Sequence, residues 1–131
     1  MINNNLILNV YENQSSKSRL STQLLYGEKF SIIKVLKNRY KIKSSYDHYI
    51  GYITKKKFPY KIIPTHKVSI LEANLFSKPD NALKLKKKIS FGSLIKVQES
   101  KNNFYKFDKY WIKKNSLSSI DNKKKFFLNK K

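Results

Sequence analysis

Leu24-Leu25-Tyr26-Gly27-Glu28-Lys29-Phe30-Ser31-Ile32 is an apolar segment that breaks at one glycine and resumes as a strand. The pattern returns 65 positions later as Ile89-Ser90-Phe91-Gly92-Ser93-Leu94-Ile95-Lys96-Val97. Outward from the glycines the same shift places Asn9-Val10-Tyr11 on Asn74-Leu75-Phe76, Leu20 on Leu85, and Tyr40-Lys41-Ile42 on Tyr105-Lys106-Phe107. The first copy then carries six extra residues, after which Tyr52-Ile53 meets Trp111-Ile112 and Phe58 meets Leu117. A long period present only twice indicates two copies of a small domain, because a solenoid needs three or more stacked units.

The 131 residues therefore divide into a first unit over 1–63, a second over 64–118 and a basic C-terminal linker over 119–131. Units of that size lie near the lower limit for a self-supporting core. There is no cysteine to brace them, and the same absence removes thiol nucleophiles and thiolate metal ligands. His48 and His66 belong to no spaced ligand cluster, so neither a metal nor a cofactor is expected. Met1-Ile2-Asn3-Asn4-Asn5 lacks the basic and apolar regions of a secretory signal, and no apolar run is long enough to span a bilayer. The expected location is cytoplasmic, with the cell envelope as the alternative.

The formal net charge is +21. Twelve basic residues stand against three acidic ones in 1–63, twelve against four in 64–118, and five against one in 119–131. The charge is thus spread along the chain. Only Arg19 and Arg39 are arginines, although arginine is the preferred residue for bidentate phosphate and guanine contacts. Lysine, asparagine, isoleucine, phenylalanine and tyrosine all have A/T-rich codons, so a base-biased genome accounts for the profile without a ligand. A basic nucleic-acid-binding module stays open as the alternative, with nine tyrosines and eight phenylalanines available for stacking.

Residues 6–11 alternate as a strand, and Asn13-Gln14-Ser15-Ser16 reads as a polar loop. Leu20–Leu25 forms a second strand and Phe30–Val35 a third, in which the step from Ile32 to Ile33 breaks alternation and predicts a bulge. A turn at Lys37-Asn38-Arg39 leads into Tyr40–Lys43, and a loop leads into Tyr49–Ile53. The second copy repeats this order, with Leu83, Leu85, Ile89 and Phe91 expected on one face and lysines on the other. Pro59 and Pro64 bracket a restricted connector. No stretch has a helical period. The fold class is all-β, and strands this short point to small, partly open barrels. Tyr26, Phe30, Ile32, Phe91, Ile95 and Val97 are expected in the core, and Trp111 over a barrel end.

These residues resemble the bacterial SH3-like domain, and more closely the paired SH3-like domains that precede the catalytic domain of NlpC-type cysteine peptidases. In that family the first copy ends in Asp-Gly-Tyr-x-Gly-aromatic, which Asp47-His48-Tyr49-Ile50-Gly51-Tyr52 matches at all but His48. Thr65-His66-Lys67-Val68 matches the Thr-His-basic-Val segment between domains, and Phe76-Ser77-Lys78-Pro79-Asp80 matches a Phe-x-x-Pro-Asp loop. The chain departs from the pattern at Arg39, near an expected tryptophan, and at Asp108-Lys109, where small residues are usual.

The resemblance implies two tandem SH3-like barrels that bind murein-derived peptides in support of a γ-D-glutamyl peptidase domain, in cis or in trans. It implies no catalysis by this chain, which lacks the family's cysteine. A scaffold that binds only its own peptidase domain is a third reading. The first copy's extra loop, Asp47 to Tyr52, is the candidate site. Asp47 is expected to hold an amino terminus and Tyr49 to pack on the peptide, with Tyr52 and Tyr40 beside them along a Tyr49–Tyr52 edge. His66 is expected to be a connector residue with no base function.

Overall fold

Alternating apolar residues place one face of each strand in a core, and in the first unit that face is Leu8, Val10, Leu24, Phe30, Ile42 and Ile53. The computed structural model describes residues 1–15 and 17–120; the expected linker from 121 onward lies outside them. Its strands are β1 (Ile7–Tyr11), β2 (Leu20–Leu25), β3 (Phe30–Val35), β4 (Arg39–Ser44), β5 (Ile50–Thr54), β6 (His66–Val68), β7 (Glu72–Phe76), β8 (Lys84–Ser90), β9 (Leu94–Ile95), β10 (Glu99–Lys101), β11 (Phe104–Phe107), β12 (Tyr110–Lys113) and β13 (Leu117–Ser119). Two short 3-10 turns, Asn81–Leu83 and Lys114–Ser116, interrupt an otherwise all-β chain. The chain separates into two compact units, Met1–Ile62 and Ile63–Lys131.

The strands form three antiparallel sheets, ordered β2-β1-β5-β4-β3, β10-β11-β12-β7-β8 and β13-β6-β9. None of these sheets closes on itself among the described residues. The two five-stranded sheets share one topology, since the 65-residue shift carries β1 onto β7 and β2 onto β8. The anchoring glycines also match. Gly27 has φ 87° and Gly92 φ 89°, the left-handed region that glycine enters without steric cost.

The bulge expected at Ile32–Ile33 is present: Ile32 pairs with Ile42 and Lys34 with Lys41, leaving Ile33 unpaired. Each copy begins earlier than its strand alternation suggests. Ile2 bridges Lys29 and its N–H donates to the Pro59 carbonyl at 3.0 Å. In the second unit Lys67, 65 positions later, pairs with Leu94 and with Ser118 in the same two directions. Asn3 is buried, and its side-chain amide donates to the carbonyls of Leu24 (3.2 Å), Leu25 (2.9 Å) and Asn5 (3.0 Å).

Several packing expectations need correction. Tyr26, Phe30 and Ile95 are buried, and Ile32 packs partly buried against the core, but Phe91 is 51% exposed. It sits in the turn before Gly92, with the Lys67 ammonium 5.2 Å from its ring centroid. Leu83 is 39% exposed because it closes a 3-10 turn and does not lie in the strand. That turn is capped by Asp80, whose carboxylate accepts from Ala82 N at 2.8 Å, which gives the Pro79-Asp80 pair a structural purpose. His66 is a strand residue paired with Ile95, not a connector; its Nδ1 lies 2.8 Å from Thr65 Oγ1 and its ring 4.9 Å from that of Tyr105. Burial lowers its pKa below the ordinary histidine value.

Candidate functional site

The six extra residues of the first copy form the tip of the β4–β5 hairpin. Ser44 N donates to the Tyr49 carbonyl at 2.9 Å and closes the loop. Inside it, Asp47 Oδ1 accepts from the Ser44 hydroxyl and from Tyr49 N at 3.2 Å, and Tyr49 N also reaches Ser44 Oγ at 3.2 Å. An Asp carboxylate bonded to the backbone two residues on is a local turn device. His48 occupies the left-handed region at φ 57°. That geometry explains why glycine suits this position of the motif, and a histidine there is held under strain.

Gly51 answers a different need. A Cβ on it would collide with the Val10 side chain and crowd Tyr11 O and Tyr49 Cε1, each at 3.2 Å. The motif thus combines a turn carboxylate, a left-handed residue and a close strand crossing.

Next to the hairpin tip lies a pocket of about 140 Å³. Its floor is the edge of the core at Val10, Leu24 and Ile42. Its wall carries Ser44, Tyr46, Asp47 and Tyr49, and Glu28 comes in from the turn after Gly27. Glu28 Oε1 accepts from Leu25 N at 3.1 Å. Two of the chain's eight acidic residues meet here, and the lining includes no lysine or arginine. In a chain of net charge +21 this is a local gathering of acidic side chains, chemistry suited to an ammonium group. The hydrogen bond from Ser44, then that from Tyr49 N, holds the Asp47 pKa below the ordinary 3.8. Both bonds enter on Oδ1, so Oδ2 keeps acceptor capacity for a ligand.

Asp47 and Tyr49 therefore come together, while Tyr52 and Tyr40 do not join them. Tyr52 lies on the opposite sheet face, paired with Tyr11 on one side and Lys41 on the other. Tyr40 packs partly buried against the core cluster, with the Lys55 ammonium 5.7 Å from its ring centroid. The expected Tyr49–Tyr52 edge does not exist, because β5 is hydrogen-bonded between β1 and β4. Sequence reasoning missed Glu28, Ser44 and Tyr46. The available signal for Glu28 was its mismatch with Ser93 across the repeat, a scarce acid present in one copy only.

The outer face of the first sheet carries a second arrangement. Tyr11, Tyr52, Lys41 and Lys34 occupy one cross-strand row. Arg39 stacks its guanidinium 3.9 Å from the Tyr11 ring centroid and donates to the Asn13 carbonyl at 3.0 Å. In the second unit the row becomes Phe76, Trp111, Lys106 and Glu99, with an ion pair of 3.4 Å between the last two. There Phe104 stands in Arg39's place and meets Phe76 edge-on at 5.0 Å.

Residues 10–58 match the family described as the bacterial dipeptidyl-peptidase Sh3 domain. The matched stretch lies within the first unit and contains Glu28, Ser44, Asp47 and Tyr49. No curated protein matches the chain.

Proposed function

We propose that the chain is a non-catalytic binding module, two SH3-like barrels in tandem, whose first unit holds the amino terminus of a short murein-derived peptide. The single observation that carries this reading is the acid-lined pocket, whose lining includes Glu28 and Asp47 and no basic side chain. Asp47 supplies the opposing charge to a peptide ammonium, Tyr49 a packing surface, and the Val10–Leu24–Ile42 floor receives a small first side chain. The similarity of residues 10–58 to the SH3 domain of bacterial dipeptidyl-peptidases supports a non-catalytic binding module. With no cysteine in the chain, hydrolysis falls to an NlpC-type peptidase domain acting in cis or in trans.

The test is calorimetric titration with an L-Ala-γ-D-Glu peptide, its N-acetylated form, and the variant Asp47→Asn. A charge-assisted hydrogen bond is worth about 1.5–3 kcal/mol. Asp47→Asn should therefore bind roughly tenfold or more weakly, and the acetylated peptide should fail to bind. Equal affinities for parent and variant would overturn the proposal.

The Tyr11–Tyr52–Lys41–Lys34 row supports a second reading, single-stranded nucleic acid laid across the outer face. Binding of that kind falls steeply with salt, whereas recognition of a peptide terminus falls gently.

A further inference from the structure

The acidic pocket is lined in part by the edge of a sheet. Thr22, Gln23 and Leu24 of β2 contribute to it, and β2 ends its sheet, with β1 as its neighbour among the described residues. Leu24 belongs to the core cluster, so the side chain before it, Gln23, stands on the outer face. There Gln23 Nε2 donates to Asn9 Oδ1 at 2.9 Å, across the pair that the two residues make in the ladder. Val10 and Ile42, which also line the pocket, are core-face residues. Gln23 therefore reaches the pocket with its main chain.

The ladder fixes which way those main-chain groups point. In an antiparallel pair, hydrogen-bonded and non-hydrogen-bonded positions alternate, and a residue at the second kind turns both N–H and C=O away from its partner. Leu25 is of the second kind. Its N–H donates to Glu28 Oε1 and its carbonyl accepts from Glu28 N, each at 3.1 Å. Gln23 lies two residues earlier in an unbroken register, from Ile7↔Leu25 to Asn9↔Gln23, so its N–H and C=O also point away from β1. The groups of Leu25 are used by the turn, whereas those of Gln23 meet no further strand. Beyond Thr22 the register shifts, between Val10 and Tyr11 on the facing strand. The edge thus offers one donor–acceptor pair, bounded by the Glu28 turn on one side and the shift on the other.

This stretch also lacks the guards found on the other edges of the two five-stranded sheets. There β3 has its bulge and Lys34, β8 its lysines, and β10 the charges of Glu99 and Lys101. From Leu20 to Leu25, β2 contains no charged residue and no proline. An edge without such residues is open to the backbone of another chain.

We infer that β2 receives the ligand's main chain, the residue after the amino-terminal one exchanging an N–H···O pair with Gln23. This rests on the peptide reading of the acidic pocket and gives its binding mode. In L-Ala-γ-D-Glu the amide N–H donates to the Gln23 carbonyl, and the glutamate α-carboxylate accepts from Gln23 N–H. Bonds of this kind add affinity without reading side chains. Because the edge offers a single pair, it suits a short peptide and not a long added strand.

The test is amide hydrogen exchange of the full chain, read residue by residue, with and without saturating L-Ala-γ-D-Glu. In the free chain Gln23 should exchange fast, while Thr22 and Leu24, bonded to β1, are protected. Ligand should slow Gln23 at least tenfold. The depsipeptide with an ester oxygen in place of the amide N–H should bind at least tenfold more weakly than the amide. Gln23→Pro removes the outward N–H at an edge position, where proline is tolerated, and should lose at least tenfold in affinity; if this variant does not fold, the ester comparison decides. The inference is overturned if Gln23 stays unprotected in the liganded chain, or if amide and ester bind equally well. Should Asp47→Asn weaken binding in that case, the peptide reading of the pocket stands without strand addition. No binding of L-Ala-γ-D-Glu at all removes both.

Discussion

Arg39 is 8% exposed, so its charge is held by two contacts, the Tyr11 ring at 3.9 Å and the Asn13 carbonyl at 3.0 Å. Truncation to alanine removes both. A largely desolvated cation–π contact is worth up to about 2 kcal/mol, and a hydrogen bond from a charged donor about 1.5–3 kcal/mol. The Asn13 carbonyl belongs to an exposed residue and regains water when the arginine is gone, which trims the second figure. Arg39→Ala should therefore cost the first unit about 2–3 kcal/mol. The second unit places Phe104 at this position against Phe76, so Arg39→Phe should recover at least half of that loss through an aromatic pair with Tyr11. Trp111 lies in the second unit and reports on that unit. Urea unfolding of the first is better followed through the amide signals of β1 and β5. Arg39→Ala within about 0.5 kcal/mol of the parent, or Arg39→Phe less stable than Arg39→Ala, would refute the reasoning.

The matching left-handed glycines, Gly27 and Gly92, predict that valine at either position costs about 1–3 kcal/mol; two melting curves like that of the parent would show the repeat to be misaligned at its anchor. His48→Gly, which relieves φ 57°, should leave stability unchanged or raise it by up to about 1 kcal/mol, and a clear fall in melting temperature would contradict the strain account. Ser93 Oγ is buried without a partner among the described residues, so Ser93→Ala should be neutral or stabilising by chemical denaturation, as an unmet hydroxyl costs about 1–3 kcal/mol. The hydrogen bonds from Ser44 and then Tyr49 N hold the Asp47 pKa below the ordinary carboxylate value, so peptide affinity should persist into acid and fall only as the carboxylate gains its proton; loss of affinity already near pH 5 would point to another group.

The strands of the first unit were legible because their alternation is regular, and even the Ile33 bulge announced itself as a broken step. The repeat carried that reading into the second unit. What escaped was fixed by contacts distant in the chain. Met1-Ile2-Asn3 is too short to alternate, and its place beside Lys29 follows only from setting it against His66-Lys67-Val68. Phe91 looks like core by type, but a turn residue next to a left-handed glycine need not face inward. Asp47 and Tyr49 could be read together because they are local to one hairpin, whereas Glu28 arrives from a separate turn. Tyr52 and Tyr40 share strands with the loop but point to other surroundings.

The two sheets end differently on their open sides. The β3 edge is bent by its bulge at Ile33, whereas β8 joins an irregular register against β7 to a row of exposed lysines, Lys84, Lys86, Lys87 and Lys88. Both devices deter another chain from adding a strand, but they answer differently to the solvent. A bulge is geometry and persists at any ionic strength. Lysine repulsion is screened, its range shrinking from about 8 Å at physiological salt to about 3 Å at 1 M. Concentrated salt, or acetylation of those lysines, would therefore strip the charge from β8 and leave it, like β3, guarded by its irregular register alone.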